Sequence, residues 1–426
     1  MSAAAARAAP SSARTGAGAV RAAAHGLTFL GIALIVLISP MVLHLWGVAY
    51  ELPGGTALEK IHPGTLVVFA ALALLMIDAG NPLRFLARES GRAPGVFVFL
   101  AAWLVLLQHI ILVQRAPFTP IIDSFLLPMA LFVCIRDGSP SFTAALARFL
   151  HVFMCANACL GLYEVASGWR LTPFVAADLE IELDWRASAL LGHPLANAAL
   201  TGVYTLVLAQ GGGRALPGLA RAPVIALQLA AMVAFGGRAS LVFLLALLLL
   251  LALRGGARVL SGGRVGLAQA GLFLICLPLA LAALDSAVSL GFFDRIAERF
   301  VNDRGSAKAR LVMFDLLAQI SWTDLILGPD QELVAALQRR EGVEVGIESV
   351  WIGFILSYGI AASVLFFAGA AFFCRELVRA TRGGMPLLLL FFFGVASTSV
   401  SLSAKSTMFG VFTAFALTML ARPRGP

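Results

Sequence analysis

Arg238 stands in Phe235-Gly236-Gly237-Arg238-Ala239-Ser240, directly before the apolar run LVFLLALLLLLAL. A guanidinium at the start of a membrane helix is costly unless paired or hydrated, and such groups usually face a cavity. The two glycines would let a ligand approach the backbone closely. The other reading is that Arg238 snorkels to lipid phosphate. Arg310, with Lys308 nearby, opens Arg310-Leu311-Val312-Met313-Phe314, where it is either a site residue or part of a solvated helix face. Arg186 precedes Gly192-His193-Pro194-Leu195-Ala196-Asn197, in which His193 before proline reads as a structural turn residue. Glu348, in Gly346-Ile347-Glu348-Ser349, is either a site carboxylate or a favourable charge at a helix start. Asp123 reads as a helix cap or a counter-ion to an arginine.

Together these residues set several guanidiniums and few free carboxylates on one face beside lipid. The arginine fork donates two parallel hydrogen bonds and stays charged at any relevant pH, which suits a diphosphate. The chain carries no Walker loop, dinucleotide glycine fingerprint, HExxH or nucleophile elbow. It also lacks an Asp-x-Asp pair suited to a nucleotide-sugar metal, so neither metal nor cofactor is expected.

The elements that must hold these residues are membrane helices. Of 426 residues 60% are hydrophobic and 13% charged, against about 45–50% and about 25% in soluble domains. Crossing about 30 Å of hydrocarbon takes roughly 20 apolar residues as helix, with every backbone amide satisfied internally. Apolar runs predict an all-α polytopic protein with about twelve spans. These are 27–49, 63–79, 95–113, 119–135, 146–166, 190–209, 222–236, 238–253, 265–285, 346–373, 385–402 and 404–421. The seventh and eighth meet at Gly236-Gly237-Arg238. The last two form a tight hairpin at Ser401–Lys405 or one long broken helix.

Domain organisation follows. Residues 1–26 are small and basic and read as a disordered cytoplasmic tail, 27–285 hold spans one to nine, and 346–421 hold the last three. Residues 286–345 form a large polar loop. In it Leu311, Phe314, Leu317 and Ile320 recur at helical spacing, Trp322 sits as an interfacial anchor, and Gln331–Arg340 is a further short helix. The loop therefore reads as amphipathic helices on the outer face. With both termini inside, 18 of the 31 Lys and Arg fall in the inner segments, as positive charge directs. The net charge of +8 is this loop bias and does not point to nucleic acid. All five cysteines lie in or at the inner ends of spans, so no disulfide framework is implied. Cys155 and Cys159, one helical turn apart, read as packing residues because no His or carboxylate completes a metal site.

The chain resembles the O-antigen ligase and O-antigen polymerase superfamily of bacterial envelope polysaccharide enzymes. The likeness covers roughly residues 180–372. It rests on Arg186 with Gly192-His193-Pro194 and Asn197, on Gly-Gly-Arg238-Ala-Ser, on the Arg310 helix with Leu327-Gly328, and on Glu348-Ser349 with Tyr358-Gly359. The resemblance implies an inner-membrane enzyme that moves a glycan from undecaprenyl diphosphate to a hydroxyl at the periplasmic face, with inversion and without metal. Arg238 and Arg310 match the family's diphosphate-binding arginines by position, and Lys308 and Arg186 add substrate-binding charge. Ligases of the family carry histidine where the tenth span begins, and this chain has Glu348. That difference favours a polysaccharide polymerase in which Glu348 orients or deprotonates the attacking hydroxyl. The implied partners are the lipid-linked glycan, membrane lipid and an assembly protein such as a chain-length regulator. Ligase-type transfer to another acceptor and a lipid-linked oligosaccharide flippase are the alternatives.

Overall fold

The structure is a computed structural model. It describes residues 12–52, 54–173, 175–176, 179–180, 186–213, 215–262, 306–343, 347, 349–399 and 402–422, with backbone alone at 12–17, 175–176, 179–180, 258 and 306–311. The expected ninth span, 265–285, lies outside these residues.

The described chain is helical apart from a two-residue antiparallel pairing, Val175–Ala176 with Leu179–Glu180. In chain order the helices are α1 Ser12–Leu37, α2 Pro40–Leu45, α3 Pro63–Asp78, α4 Pro82–Arg92, α5 Pro94–His109, α6 Leu127–Asp137, α7 Pro140–Ser167, α8 Pro194–Ala209, α9 Arg221–Phe235 and α10 Arg238–Leu260. After the undescribed stretch come α11 Ser306–Ala318, α12 Trp322–Leu327, α13 Gln331–Glu341, α14 Val350–Ala380, α15 Met385–Ala396 and α16 Met408–Met419. Proline opens α2, α3, α4, α5, α7 and α8, where its missing N–H would be unsatisfied anyway. Before five of these prolines a Ser, His or Asn side chain accepts a hydrogen bond from the first turn.

The protein is a polytopic membrane protein. Six described helices are long and apolar enough to cross a bilayer, or seven if α3 and α4 count as one broken pair bent by 104°. Helices α8, α15 and α16 are shorter and apolar. Phenylalanines fill the bundle centre: Phe99, Phe125, Phe354, Phe366 and Phe373 pack ring against ring, and Phe392, Phe409 and Phe412 form a second group.

Hydrogen bonds define two ends. At one end Arg21 pairs with Asp78 and Asp137, Arg136 donates to the Arg92 carbonyl, the Gly95 N–H reaches Glu376, and Arg422 reaches Thr381. This is the arginine-rich end. At the other lie residues 38–62, the α5–α6 and α7–α8 connections, the α9–α10 corner, α11–α13, and 402–407.

Several expectations change. Helix α1 begins at Ser12, inside the segment 1–26 read as a disordered tail, because its alanine-rich sequence extends the helix. Helices α9 and α10 are separate: Gly236 at φ 65° ends α9 and Arg238 opens α10. Some ten residues, not a tight Ser401–Lys405 turn, part α15 from α16. In α11 the buried face is Met313, Leu316 and Ile320, while Phe314 is 62% exposed. Of the expected Leu311, Phe314, Leu317, Ile320 stripe, Ile320 and Leu317 pack against Leu325, Val334, Leu337, Ile352 and Leu356, while Phe314 turns outward and Leu311 is outside the described side chains. Trp322 is exposed, and α13 falls on the expected short helix.

Candidate functional site

Two groups of polar side chains occupy the end opposite the arginine-rich one. The first forms around the outer termini of α7 to α10. Glu164, in the last turn of α7, is fully buried and accepts the backbone N–H groups of Leu171 (3.0 Å), Ser188 (2.8 Å) and Ala189 (3.0 Å). Its charge thus holds the segment that follows Arg186. Asn157 and Asn197 complete the cradle: Asn157 donates to Asn197 (2.8 Å) and accepts the Leu190 N–H (3.0 Å), and Asn197 donates to the His193 carbonyl (3.1 Å). The Ala187 N–H donates to the Ala234 carbonyl (3.0 Å), which fastens Arg186's neighbour to the end of α9. Three residues past Ala234, Gly237 lies so close to Ala198 of α8 that a Cβ there would stand 2.5 Å from the alanine methyl.

Arg186, His193 and Arg238 are thereby carried on one rim. Both guanidiniums are half-buried. Arg238 sits in the first turn of α10, where the helix dipole is positive and its charge is opposed. An anion at that position is favoured by the dipole.

His193 is exposed at the head of α8. Desolvation first, and then the Arg186 charge, push its imidazole down to about 4. The shift favours the neutral ring. Its Nδ1 accepts the Leu195 N–H (3.2 Å), so the neutral ring carries its proton on Nε2, as a donor. The expected turn role holds, since His193 caps α8, and the cap also fixes the tautomer.

The second group was not singled out from the sequence, apart from Asp123. Asp123 is fully buried at the start of the π-turn that leads into α6. It accepts the Tyr50 hydroxyl (2.8 Å) and the His62 backbone N–H (3.0 Å), so it is neither a helix cap nor an arginine counter-ion. Lys405 donates to the Tyr50 carbonyl (2.6 Å) and stands 3.3 Å from the centre of the Tyr50 ring. Burial pushes the Lys405 amine down to about 8 despite the carboxylates of Asp123 and Glu51. Burial, and then the Asp123 charge, push the Tyr50 phenol well above its usual value. The His62 Nδ1 accepts the Gly64 N–H, so its Nε2–H donates to the Ile38 carbonyl (2.7 Å).

The two groups share the α1–α2 corner. Ile38 takes the His62 bond, and the next residue, Ser39, packs against Gly192 beside His193.

Of the other expected site residues, Lys308 and Arg310 lie on the first turns of α11, where only the backbone is described. Their helix sits at the same end of the bundle, packed through Met313 and Leu316 toward α14. Glu348 lies outside the described residues. Its sequence neighbours Ile347 and Ser349 are buried at the head of α14.

Helix α14 is kinked at Gly359 (φ 82°, ψ 165°), and the carbonyls that the kink frees do not go unmet. Gln331 donates to Leu356 (3.1 Å) and Ser357 (3.1 Å), and Gln114 also donates to Ser357. Helix α13 and the π-helical turn Ile110–Gln114 that follows α5 are thus locked to the break. A lone carboxylate in an otherwise apolar helix (Glu164) and a lone lysine between two apolar runs (Lys405) were the signals in the sequence. Compared with known protein families the chain matches none, and no curated protein matches it.

Proposed function

We propose that this protein is a polysaccharide polymerase that joins undecaprenyl-diphosphate-linked oligosaccharide repeats at the outer face of the bacterial inner membrane. The proposal takes the chain as twelve spans, counting 265–285, with the arginine-rich end and both termini in the cytoplasm and the Arg186–Arg238 rim in the periplasm. The observation that carries it is the rim itself. Two guanidiniums and a neutral imidazole donor stand together at the end away from the arginine-rich one, above apolar helices that suit a polyprenyl chain.

In this reading Arg238 and Arg186, with Arg310 and Lys308 from α11, hold the diphosphate. They stabilise the charge that grows on it as the glycosidic bond breaks. His193 Nε2–H donates to a phosphate or sugar oxygen. A carboxylate receives the proton of the attacking hydroxyl, and Glu348 is the one that the family resemblance supplies.

The test is polymer length in cells that carry Arg238→Ala. A fall in polymer of about 100-fold or more is expected, the usual effect of removing one preorganised donor. Single repeats should still reach the cell surface. Arg238→Lys should also be impaired, since a point charge does not reproduce the two-pronged fork. Normal chain length in Arg238→Ala would refute the assignment. Lipid-linked repeats accumulating on the inner face in cells without the protein would point to a flippase.

A further inference from the structure

We propose that α15 and α16 floor a water-accessible pocket sunk into the outer half of the bilayer, and that this floor binds the saccharide of the lipid-linked substrate. The pocket follows from helix lengths and contacts, while the choice of ligand rests on the polymerase reading above.

The two floor helices are too short to cross. Each has 12 residues, about 18 Å at 1.5 Å per residue, against about 30 Å of hydrocarbon. Their inner ends are pinned at the arginine-rich end, where the Arg382 N–H donates to the Leu420 carbonyl (2.8 Å) and Arg422 donates to the Thr381 carbonyl (2.7 Å). From the same junction the 360–380 part of α14 rises about 31 Å to its kink at Gly359. Helices α15 and α16 therefore stop about 13 Å short of that kink.

The head of α14 reaches down to the same level. In a straight helix Trp351 and Phe367 would stand about 24 Å apart. Their rings are 4.6 Å apart, and Phe354 is 4.8 Å from Phe367, so the kink folds 350–358 back beside 360–367. Trp351 of this half-helix donates to the Ser397 hydroxyl (2.7 Å). A Cβ on Gly353 would stand 2.6 Å from that of Ser403, whose hydroxyl donates to the Ile347 carbonyl (3.4 Å). On another side the Ser406 N–H donates to Ser124 Oγ (3.0 Å) in the π-turn before α6. On a third, Phe243 of α10 packs on Gly394, less than a turn below Ser397. Arg238 begins that same helix, about 7 Å further out than Phe243. The diphosphate rim thus stands just above the floor.

The floor is polar and open. Ser397, Thr398, Ser403, Lys405, Ser406 and Thr407 all keep accessible surface, and Ala404 is exposed. Irregular backbone and an ammonium group do not face hydrocarbon; at this depth they line water or protein. The Ser397 and Thr398 hydroxyls donate to carbonyls of the last turn of α15 (2.7 and 3.0 Å), which leaves their oxygens able to accept. Lys405 has three N–H donors and gives one to the Tyr50 carbonyl (2.6 Å). Acceptors beside donors match a sugar, because each of its hydroxyls both donates and accepts. A single cation among hydroxyl acceptors suits a neutral polyol better than a diphosphate, which the rim arginines serve.

The experiment uses the full chain, freed of its own cysteines, in lipid nanodiscs. Ala404→Cys samples the floor. Val364→Cys samples the exposed apolar stripe that Val364 shares with Leu365 and Phe372 on α14. Val364 lies about 24 Å from the inner end, nearer the outer surface than the floor. A small charged methanethiosulfonate should nevertheless label Ala404→Cys about 100-fold faster, because the reactive thiolate forms in water and not in hydrocarbon. Repeat-unit oligosaccharide released from the producing cell's own polysaccharide should slow that labelling about tenfold at about ten times its dissociation constant. Inorganic diphosphate should not slow it. Absent labelling of Ala404→Cys in folded protein, or faster labelling of Val364→Cys, would overturn the pocket. Protection by inorganic diphosphate, or none by the oligosaccharide, would overturn the saccharide assignment. Normal polymer in Arg238→Ala would instead remove the polymerase reading, without changing the two labelling rates.

Discussion

Glu164 shows how one side chain shapes the rim without facing a substrate. Its carboxylate accepts three backbone N–H groups, and charged acceptors contribute about 1.5–3 kcal/mol per bond. Glu164→Gln keeps the volume but replaces one acceptor oxygen with a donor that faces an N–H. The variant should lose more than about 1.5 kcal/mol of stability, seen as a lower unfolding temperature, and activity should fall with it. An unchanged unfolding temperature would mean that the segment after Arg186 is held by other contacts. Tyr50→Phe should likewise destabilise the fold by about 1–3 kcal/mol, because it leaves the buried Asp123 short of a donor. The His193 imidazole, already pushed down to about 4, should add no ionisation between about pH 5 and 8 to the activity profile. A limb in that window abolished by His193→Asn would contradict its role as a neutral donor.

At the level of elements, the α12–α13 turn and the kink of α14 depend on two glycines pressed together. Gly359 occupies a backbone region that is essentially glycine's alone, and a Cβ there would stand 2.4 Å from the Gly328 nitrogen. Gly359→Ala should cost about 1–3 kcal/mol from backbone strain alone and should detach Gln331 from the freed carbonyls. Proteolysis within α12–α13 should then become faster. Unaltered cleavage would show that the kink does not hold these helices. The sequence made the six or seven helices of crossing length and the α9–α10 corner legible because apolar run length and Gly-Gly-Arg are local signals. It did not show that Phe314 turns outward, since the face that α11 buries is set by the later helices packed on it. Nor did it show α4, which lies at a sharp angle to α3 where a basic loop was expected. The start signal there is Asn81-Pro82, and Asn81 caps α4.

For the whole molecule, the segregation of arginine gives the polymerase reading its direction. The Arg186–Arg238 rim and the Tyr50–Asp123–Lys405 cluster share one end, and Arg21, Arg136, Arg379 and Arg422 mark the other. In a chain stripped of its own cysteines, Ala404→Cys should be labelled by an impermeant thiol reagent from outside the cell. Gly383→Cys should be labelled only after permeabilisation, and the reverse pattern would invert the topology. The Tyr50–Asp123–Lys405 cluster was not legible in sequence, because 355 residues separate Lys405 from the carbonyl it binds. The most direct test is turnover by the purified protein in lipid nanodiscs, supplied only with undecaprenyl-diphosphate-linked repeats. The account predicts glycans of several repeats on one lipid diphosphate, with undecaprenyl diphosphate released in step and almost none formed by Arg238→Ala. Repeats left unjoined by the folded wild-type protein would contradict it.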